Sequence, residues 1–281
     1  MLLGGRHYLV HVPRHHQGAM PLVLMLHGAG GNSRNAMRQA ELARFADERG
    51  FLAVAPDGTA PHRDLPPQFI ANPQVWNDGS ERGHAYARGV DDVEFLSAVL
   101  DDVSRRHHVD PGRIYVMGFS NGGSMAFRLA SERPERIAAV AAVAGHPFAR
   151  PRPGDRAVPT ICVGGTVDPL TPLPGGDIRL PWGGSLTQPP YVESIGWWAE
   201  AGGCHAAPAR TRERRGVERL TWGGPDDPDG CARSVTLYLV EGAGHVWPGG
   251  SSFMPEVLVG ADPGTLDATA VVLDHLFAHT L

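Results

Sequence analysis

Apolar residues fall along the chain in two alternating rhythms. Short, nearly unbroken runs at Pro21 to Leu26, Phe51 to Ala55, Ile137 to Val143, Thr160 to Gly164 and Ser234 to Val240 have the length of strands covered on both faces. His7 to Val12 predicts a further strand near the start. Between the runs, apolar residues recur at helical spacing over Arg34 to Arg49, which stops at Gly50, and over Asp91 to His108, through Val93, Phe95, Leu96, Val99, Leu100 and Val103. Further helices are predicted after residue 123, around Tyr191, Ile195, Trp197 and Trp198, and over Ala268 to Phe277. Strands and helices in alternation specify an α/β fold, with a mostly parallel central sheet and helices on both faces.

Two stretches keep neither rhythm. Residues 57–89 and 168–190 are rich in proline and glycine and are too long to be simple connections, so they are expected as loop insertions over the sheet's carboxyl edge. The arginine-rich stretches Arg150 to Arg156 and Arg210 to Arg219 read as solvated loops, and no composition shift marks a second domain, so residues 1–281 are expected to form one.

The run Arg113-Ile114-Tyr115-Val116-Met117 leads into Gly118-Phe119-Ser120-Asn121-Gly122 and then directly into helical pattern. A serine between glycines on a strand-to-helix turn resembles the nucleophile elbow of α/β-hydrolases, where the turn lifts the hydroxyl clear of the sheet and sets a helix N-terminus beneath a developing oxyanion. Such a serine needs a histidine to take its proton and an acid to orient that histidine. Asp168 follows the strand Thr160 to Gly164, and His245 follows Ser234 to Val240, so both sit at the same sheet edge as Ser120. Asp155 and Asp177 are less well placed, and the other thirteen histidines lack this setting, His275 and His279 reading as exposed on the last helix. The glycine-rich loop His27-Gly28-Ala29-Gly30-Gly31 is expected to supply one oxyanion N–H from Ala29, with the second from Asn121. A dinucleotide-binding turn is the rival reading, but Ser33 stands where that fingerprint takes glycine.

Composition narrows the chemistry further. All 25 basic residues are arginine, which excludes Schiff-base, pyridoxal phosphate and Walker A chemistry because each needs a lysine amine. A net charge of −5 with both signs dispersed offers no face for nucleic acid, and the longest apolar runs are far too short to span a membrane. No His, Cys, Asp or Glu grouping has metal-ligand spacing, so neither metal nor cofactor is expected. Met1 to Gly5 lacks the charged start and apolar core of an export signal. Cys204 and Cys231 flank a loop that they could close as a disulfide, or they could stand as separate thiols; spacing does not choose.

Five segments together resemble the polyhydroxybutyrate depolymerase and feruloyl esterase group of carbohydrate-esterase-type α/β-hydrolases: Leu26-His27-Gly28-x-Gly30-Gly31, Val90-Asp91-Asp92-Val93-x-Phe95-Leu96, Asp110-Pro111 through Gly123, Gly165-Thr166-x-Asp168-Pro169, and Gly244-His245-x-Trp247-Pro248-Gly249. The resemblance implies a triad of Ser120, Asp168 and His245, oxyanion donors at Asn121 and Ala29, a Cys204–Cys231 bridge, and a secreted or periplasmic location. This chain departs from the family in carrying Ala29 where cysteine is common. The expected activity is serine carboxylic ester hydrolysis through an acyl-enzyme, on small aryl or hydroxyalkanoate esters. Acyl transfer by the same triad and an inert hydrolase-shaped binding protein are the alternatives. Trp247, Trp76 and Trp182 are expected to wall the acyl site and His27 to contact substrate, against the plainer reading of the tryptophans as core or loop anchors.

Overall fold

The runs Met20–Leu26, Leu52–Pro56 and Ala139–Val143 are apolar and buried throughout because both of their faces are covered. In the computed structural model, which describes residues 1–152, 155–180, 184–204, 207–223, 231 and 234–281, alternate side chains of one strand enter two separate cores. The strands are β1 (Leu2–Leu3), β2 (Arg6–His11), β3 (Met20–Leu26), β4 (Leu52–Pro56), β5 (Val109–Phe119), β6 (Ala139–Val143), β7 (Thr160–Gly165), β8 (Gly176–Arg179), β9 (Ser185–Gln188), β10 (Ala209–Arg214), β11 (Val217–Trp222) and β12 (Val235–Val240). The helices are α1 (Ser33–Gln39), α2 (Leu42–Arg49), α3 (Gly83–Ala87), α4 (Asp92–Arg106), α5 (Asn121–Glu132), α6 (Tyr191–Ala201), α7 (Glu256–Val259) and α8 (Ala268–Phe277). Ten strands form one sheet in the order β1-β2-β4-β3-β5-β6-β7-β12-β11-β10. Its middle, from β4 to β12, is parallel, and both flanks are antiparallel.

Leu22, Leu24, Leu26 and Val116 pack on one face with residues of α4, α5 and α6, among them Leu96, Phe127 and Trp198. Val23, Met25, Tyr115 and Met117 pack on the other with Ala36, Phe45, Val272 and Leu276 from α1, α2 and α8. This is the expected α/β-hydrolase layering, and it brings the ends of β3, β5, β6, β7 and β12 to one edge.

The structure differs from the sequence reading in four places. The helix predicted over Arg34 to Arg49 breaks at Ala40 and Glu41, where Glu41 takes a left-handed φ of 47°. The cause is tertiary: the Gln39 carbonyl accepts from the Ser251 N–H (3.2 Å) and the Ala40 carbonyl from Thr269 Oγ1 (3.0 Å), so neither serves a next helical turn. The Arg210 to Arg219 stretch is a hairpin rather than a loop, because β11 is anchored in both cores, Val217 in one and Leu220 and Trp222 in the other, while β10 is exposed throughout. The irregular stretch after Asp168 contains the two-stranded β8–β9 hairpin. His275 is half-buried rather than exposed, and burial pushes its pKa down to about 3.

Thr269 also accepts from Trp247 Nε1 at 2.9 Å, so one buried hydroxyl ties α8 to the loop after β12 and to the α1–α2 break. Thr269→Val should therefore lower unfolding stability by about 1–3 kcal/mol in urea titration, since it orphans a buried indole N–H and a carbonyl together.

Candidate active site

The serine turn follows from backbones packed too closely for side chains. A Cβ on Gly118 would lie 2.2 Å from the Gly122 carbonyl oxygen, and a Cβ on Gly122 would lie 2.2 Å from that of Leu26. The chain thus leaves β5, turns and enters α5 directly over the end of β3. Ser120, at the turn, is held at φ 53° and ψ −121°, a conformation that costs a non-glycine residue on the order of 1–3 kcal/mol. Its N–H donates to the Val143 carbonyl at 2.8 Å, and its own carbonyl accepts from the Ser124 N–H at 3.0 Å.

Strands β7 and β12 are parallel neighbours with Gly165 opposite Val240, so the loops that follow them leave the sheet side by side. Asp168 comes from the first and His245 from the second. The buried Asp168 carboxylate accepts from the Leu170 and Thr171 N–H groups at 2.8 and 2.7 Å through Oδ1, which leaves Oδ2 to accept from His245 Nδ1 at 2.8 Å. With Nδ1 donating to Asp168, His245 Nε2 faces Ser120 Oγ at 2.9 Å and accepts a hydrogen bond from the hydroxyl. The turn contacts of Asp168 and its partnership with His245 are one arrangement: two amides aim the carboxylate. Phe119 packs on the imidazole with ring centroids 4.9 Å apart.

The loop after β3 is positioned by buried polar contacts. The Gly58 N–H donates to His27 Nε2 (2.9 Å), so Nδ1 carries the proton and donates to the Gly28 carbonyl (2.8 Å). Burial pushes the His27 pKa down to about 4, in keeping with this neutral tautomer. Trp76 donates from Nε1 to the His27 carbonyl at 2.9 Å. The Asn121 side chain accepts from the Trp76 N–H (2.8 Å) and donates to Asp78 Oδ2 (2.7 Å), which staples this loop to the start of α5. The Gly30 and Gly31 amides are taken by the Gln74 and Gly28 carbonyls, whereas the Ala29 amide makes no such bond among the described residues. Asn121, as the first helical residue, has no intrahelical partner for its N–H. Two amides are thus available beside Ser120.

A serine turn, a buried acid–imidazole pair and two free amides at one sheet edge are a hydrolase arrangement. The family model for the alpha/beta hydrolase fold matches residues 21–162, and NocK of Nocardia uniformis subsp. tsuyamanensis, which carries an esterase name, is 31% identical over 91% of this chain and 74% of that protein. The chain belongs to the α/β-hydrolase fold family. Feruloyl esterase B of Thermothelomyces thermophilus is 27% identical over 50% of this chain, and feruloyl esterase C of Emericella nidulans is 27% identical over 62%. The chain spans only 44% and 59% of those two relatives. Among solved structures, acetyl xylan esterase from Aspergillus awamori superposes with a TM-score of 0.60 at 14% identity, covering 85% of this chain and 88% of that one. At such identity the likeness bears on the fold. With esterase-named relatives along most of its length, this α/β-hydrolase is a carboxylic ester hydrolase.

Two cavities of the hydrolase meet at Ala29, one lined by Ser120 and the other beside His245. An open cleft of about 460 Å³ is lined by Ser120, Asn121, Trp76, His146, Phe148 and the β8–β9 hairpin. A narrow apolar slot of about 50 Å³ lies beside His245 and Phe119, walled by Phe69, Phe253 and Met254. Trp76 borders the cleft but is an anchor, only 1% exposed. Trp247 borders neither cavity: it is equally buried and is tied to Thr269, because the turn after His245 folds it under Phe119, and so it corrects the expectation of a substrate wall. His27 lines the slot, while backbone groups engage both of its ring nitrogens. Trp182 lies outside the described residues. Cys204 and Cys231 are bridged.

His146, Asp78 and Arg82 line the cleft and were not singled out from sequence. His146 follows Gly145 just beyond β6, and a polar residue at the end of the strand beside the elbow strand was its available signal. Burial pushes its pKa down to about 4.

His27, His146 and His275 are all held neutral by burial, at about 4, 4 and 3. The unfolded chain protonates first as pH falls below about 6.5, so the stability present above that value is lost progressively toward pH 4. Thermal melts between pH 7 and 4.5 should show this decline. His146→Gln should flatten the slope by up to about 1.4 kcal/mol per pH unit, one proton's worth.

Proposed function

We propose that this protein hydrolyses small carboxylic esters through an acyl-enzyme formed on Ser120. The observation that carries the reading is the continuous relay from Asp168 Oδ2 through His245 to Ser120 Oγ, at 2.8 and 2.9 Å. Ser120 Oγ attacks the ester carbonyl as His245 Nε2 takes its proton. Asp168 holds the imidazole in the tautomer that can accept it and stabilises the imidazolium that forms. The oxyanion is received by the Ala29 and Asn121 amides, which the contacts through Trp76 hold in place before substrate arrives. His245 then protonates the leaving alcohol. Water enters, gives its proton to the same nitrogen and releases the acid.

Protonation of the leaving oxygen by His245 also orients the substrate. The alcohol must lie on the His245 side, in the apolar slot, and the acyl group on the other, in the open cleft beside His146 and Phe148. The size of that cleft and the feruloyl esterase names of two relatives support an aryl or hydroxyalkanoate acyl group.

A panel of p-nitrophenyl acetate, p-nitrophenyl butyrate, methyl ferulate and hydroxybutyrate oligomers tests the reading, together with covalent labelling by a serine-directed phosphonate. Wild type should be labelled and turn over at least one ester, and Ser120→Ala should lose both. Absence of labelling and turnover in folded wild type would refute it. Asp168→Asn, which presents an amide where the imidazole needs an acceptor, should lower kcat on the order of 10⁴-fold in steady-state assays.

A further inference from the structure

Among the residues lining the acyl cleft, Arg82 is the single cation, and it is unusually free. Its guanidinium forms no ion pair and no hydrogen bond among the described residues, although the charge of Asp78 acts on it. Asp78, the nearest acid, places Oδ1 on the Ser80 N–H and hydroxyl and Oδ2 on Asn121 Nδ2. His146 faces Ser194 and Gln188 through its two ring nitrogens. Arg82 rests on an aromatic ring instead, with its guanidinium carbon 4.7 Å from the Phe148 centroid. Nη1 is buried against the protein without a partner, so the side chain is not simply swinging in solvent. Nε and Nη2, the edge that grips a carboxylate side-on, are neither buried nor bonded.

A guanidinium packed on a ring, partly desolvated and presenting an empty two-donor edge within a substrate cleft is arranged to receive a planar anion. We propose that Arg82 binds a carboxylate at the far end of the acyl group, so that the preferred substrates are half-esters of dicarboxylic acids. This rests on the ester-hydrolase reading above, and on the side of Ser120 to which His245 assigns the acyl group. Arg82 is a specificity-determining residue here. It touches the substrate's second carboxylate and takes no part in bond making.

The acyl side matters to the choice of substrate. In a hydroxyalkanoate oligomer the free carboxylate belongs to the alcohol portion, which would fill the apolar slot away from Arg82. A dicarboxylic half-ester instead carries its charge in the cleft. Asp78 lies near enough for its charge to act on the guanidinium, but the two form no ion pair and Asp78 is engaged with Ser80 and Asn121, which leaves the Nε and Nη2 donors to the ligand.

The test compares monomethyl glutarate and monomethyl adipate with methyl valerate, which shares their leaving group, by pH-stat titration of wild type, Arg82→Gln, Arg82→Lys and Ser120→Ala. The readout is the ratio of kcat/KM for charged over neutral ester within each preparation, which cancels losses of folded protein. Wild type should favour a charged ester at least tenfold. Arg82→Gln should cut that ratio tenfold or more, through KM, and Arg82→Lys should fall between, keeping the charge but not the fork. Titration of glutarate into Ser120→Ala and into Arg82→Gln by calorimetry gives a second readout without turnover, with binding expected to weaken at least tenfold in the latter. If neutral esters are turned over and Ser120→Ala abolishes this, yet wild type shows no preference for the charged ester or Arg82→Gln keeps it, Arg82 does not bind carboxylate and the hydrolase reading stands. If no ester is turned over and glutarate does not bind, both readings fall. Should Arg82→Gln not fold, the wild-type ratio decides alone, and a value near or below one overturns the proposal.

Discussion

Everything at the catalytic edge depends on three backbones meeting where no side chain fits. The end of β3, the end of β5 and the first turn of α5 touch through Gly118 and Gly122, and that contact leaves Ser120 a single way through the turn. The strained serine conformation is therefore not an isolated feature, because it follows from the sheet and helix packing tightly behind it. The two large cores on either face supply the packing that holds such a turn in place, as a loosely packed sheet would relax it.

Around this fixed point the other groups are positioned by buried polar side chains rather than by regular structure. His27 caps its own loop in a neutral tautomer, Trp76 ties that loop to the chain at Asn77 and Asp78, and Asn121 ties both to α5. Asp168 is aimed by two amides before it meets His245. Each of these residues would cost stability if buried and unpaired, and each is paired with a neighbour that also belongs to the edge. Electrostatic preorganisation and stability are in this region one network.

That distribution explains what could be read from the chain. The parallel sheet was legible because strands covered on both faces must be apolar throughout, as in Leu22 to Leu26. The convergence of Ser120, Asp168 and His245 was legible because each follows a strand through a glycine-containing exit. The break between α1 and α2 was not, since it is made by Ser251 and Thr269, more than two hundred positions away in the chain. Trp247 sits beside His245 in sequence, which suggested a substrate wall, but a turn buries it beneath Phe119. Val217, Leu220 and Trp222 bury β11 on its two faces without a one-face alternation, and the arginines around them masked the strand. Arg82 and His146 are lone polar residues with no local pattern, so only three-dimensional neighbours give them meaning.

The narrow slot beside His245 has a consequence for the second half of the proposed cycle. Once the alcohol departs, the space it leaves is the place from which His245 can activate a newcomer. At about 50 Å³ and walled by Phe69, Phe119, Phe253 and Met254, that space is where an incoming water or alcohol would compete for His245. On the proposed cycle, the partition of the acyl-enzyme between hydrolysis and alcoholysis depends on the geometry of that slot. Phe253, an exposed residue lining the slot, is the position at which that balance is open to change on the proposed cycle, apart from Ser120, Asp168 and His245.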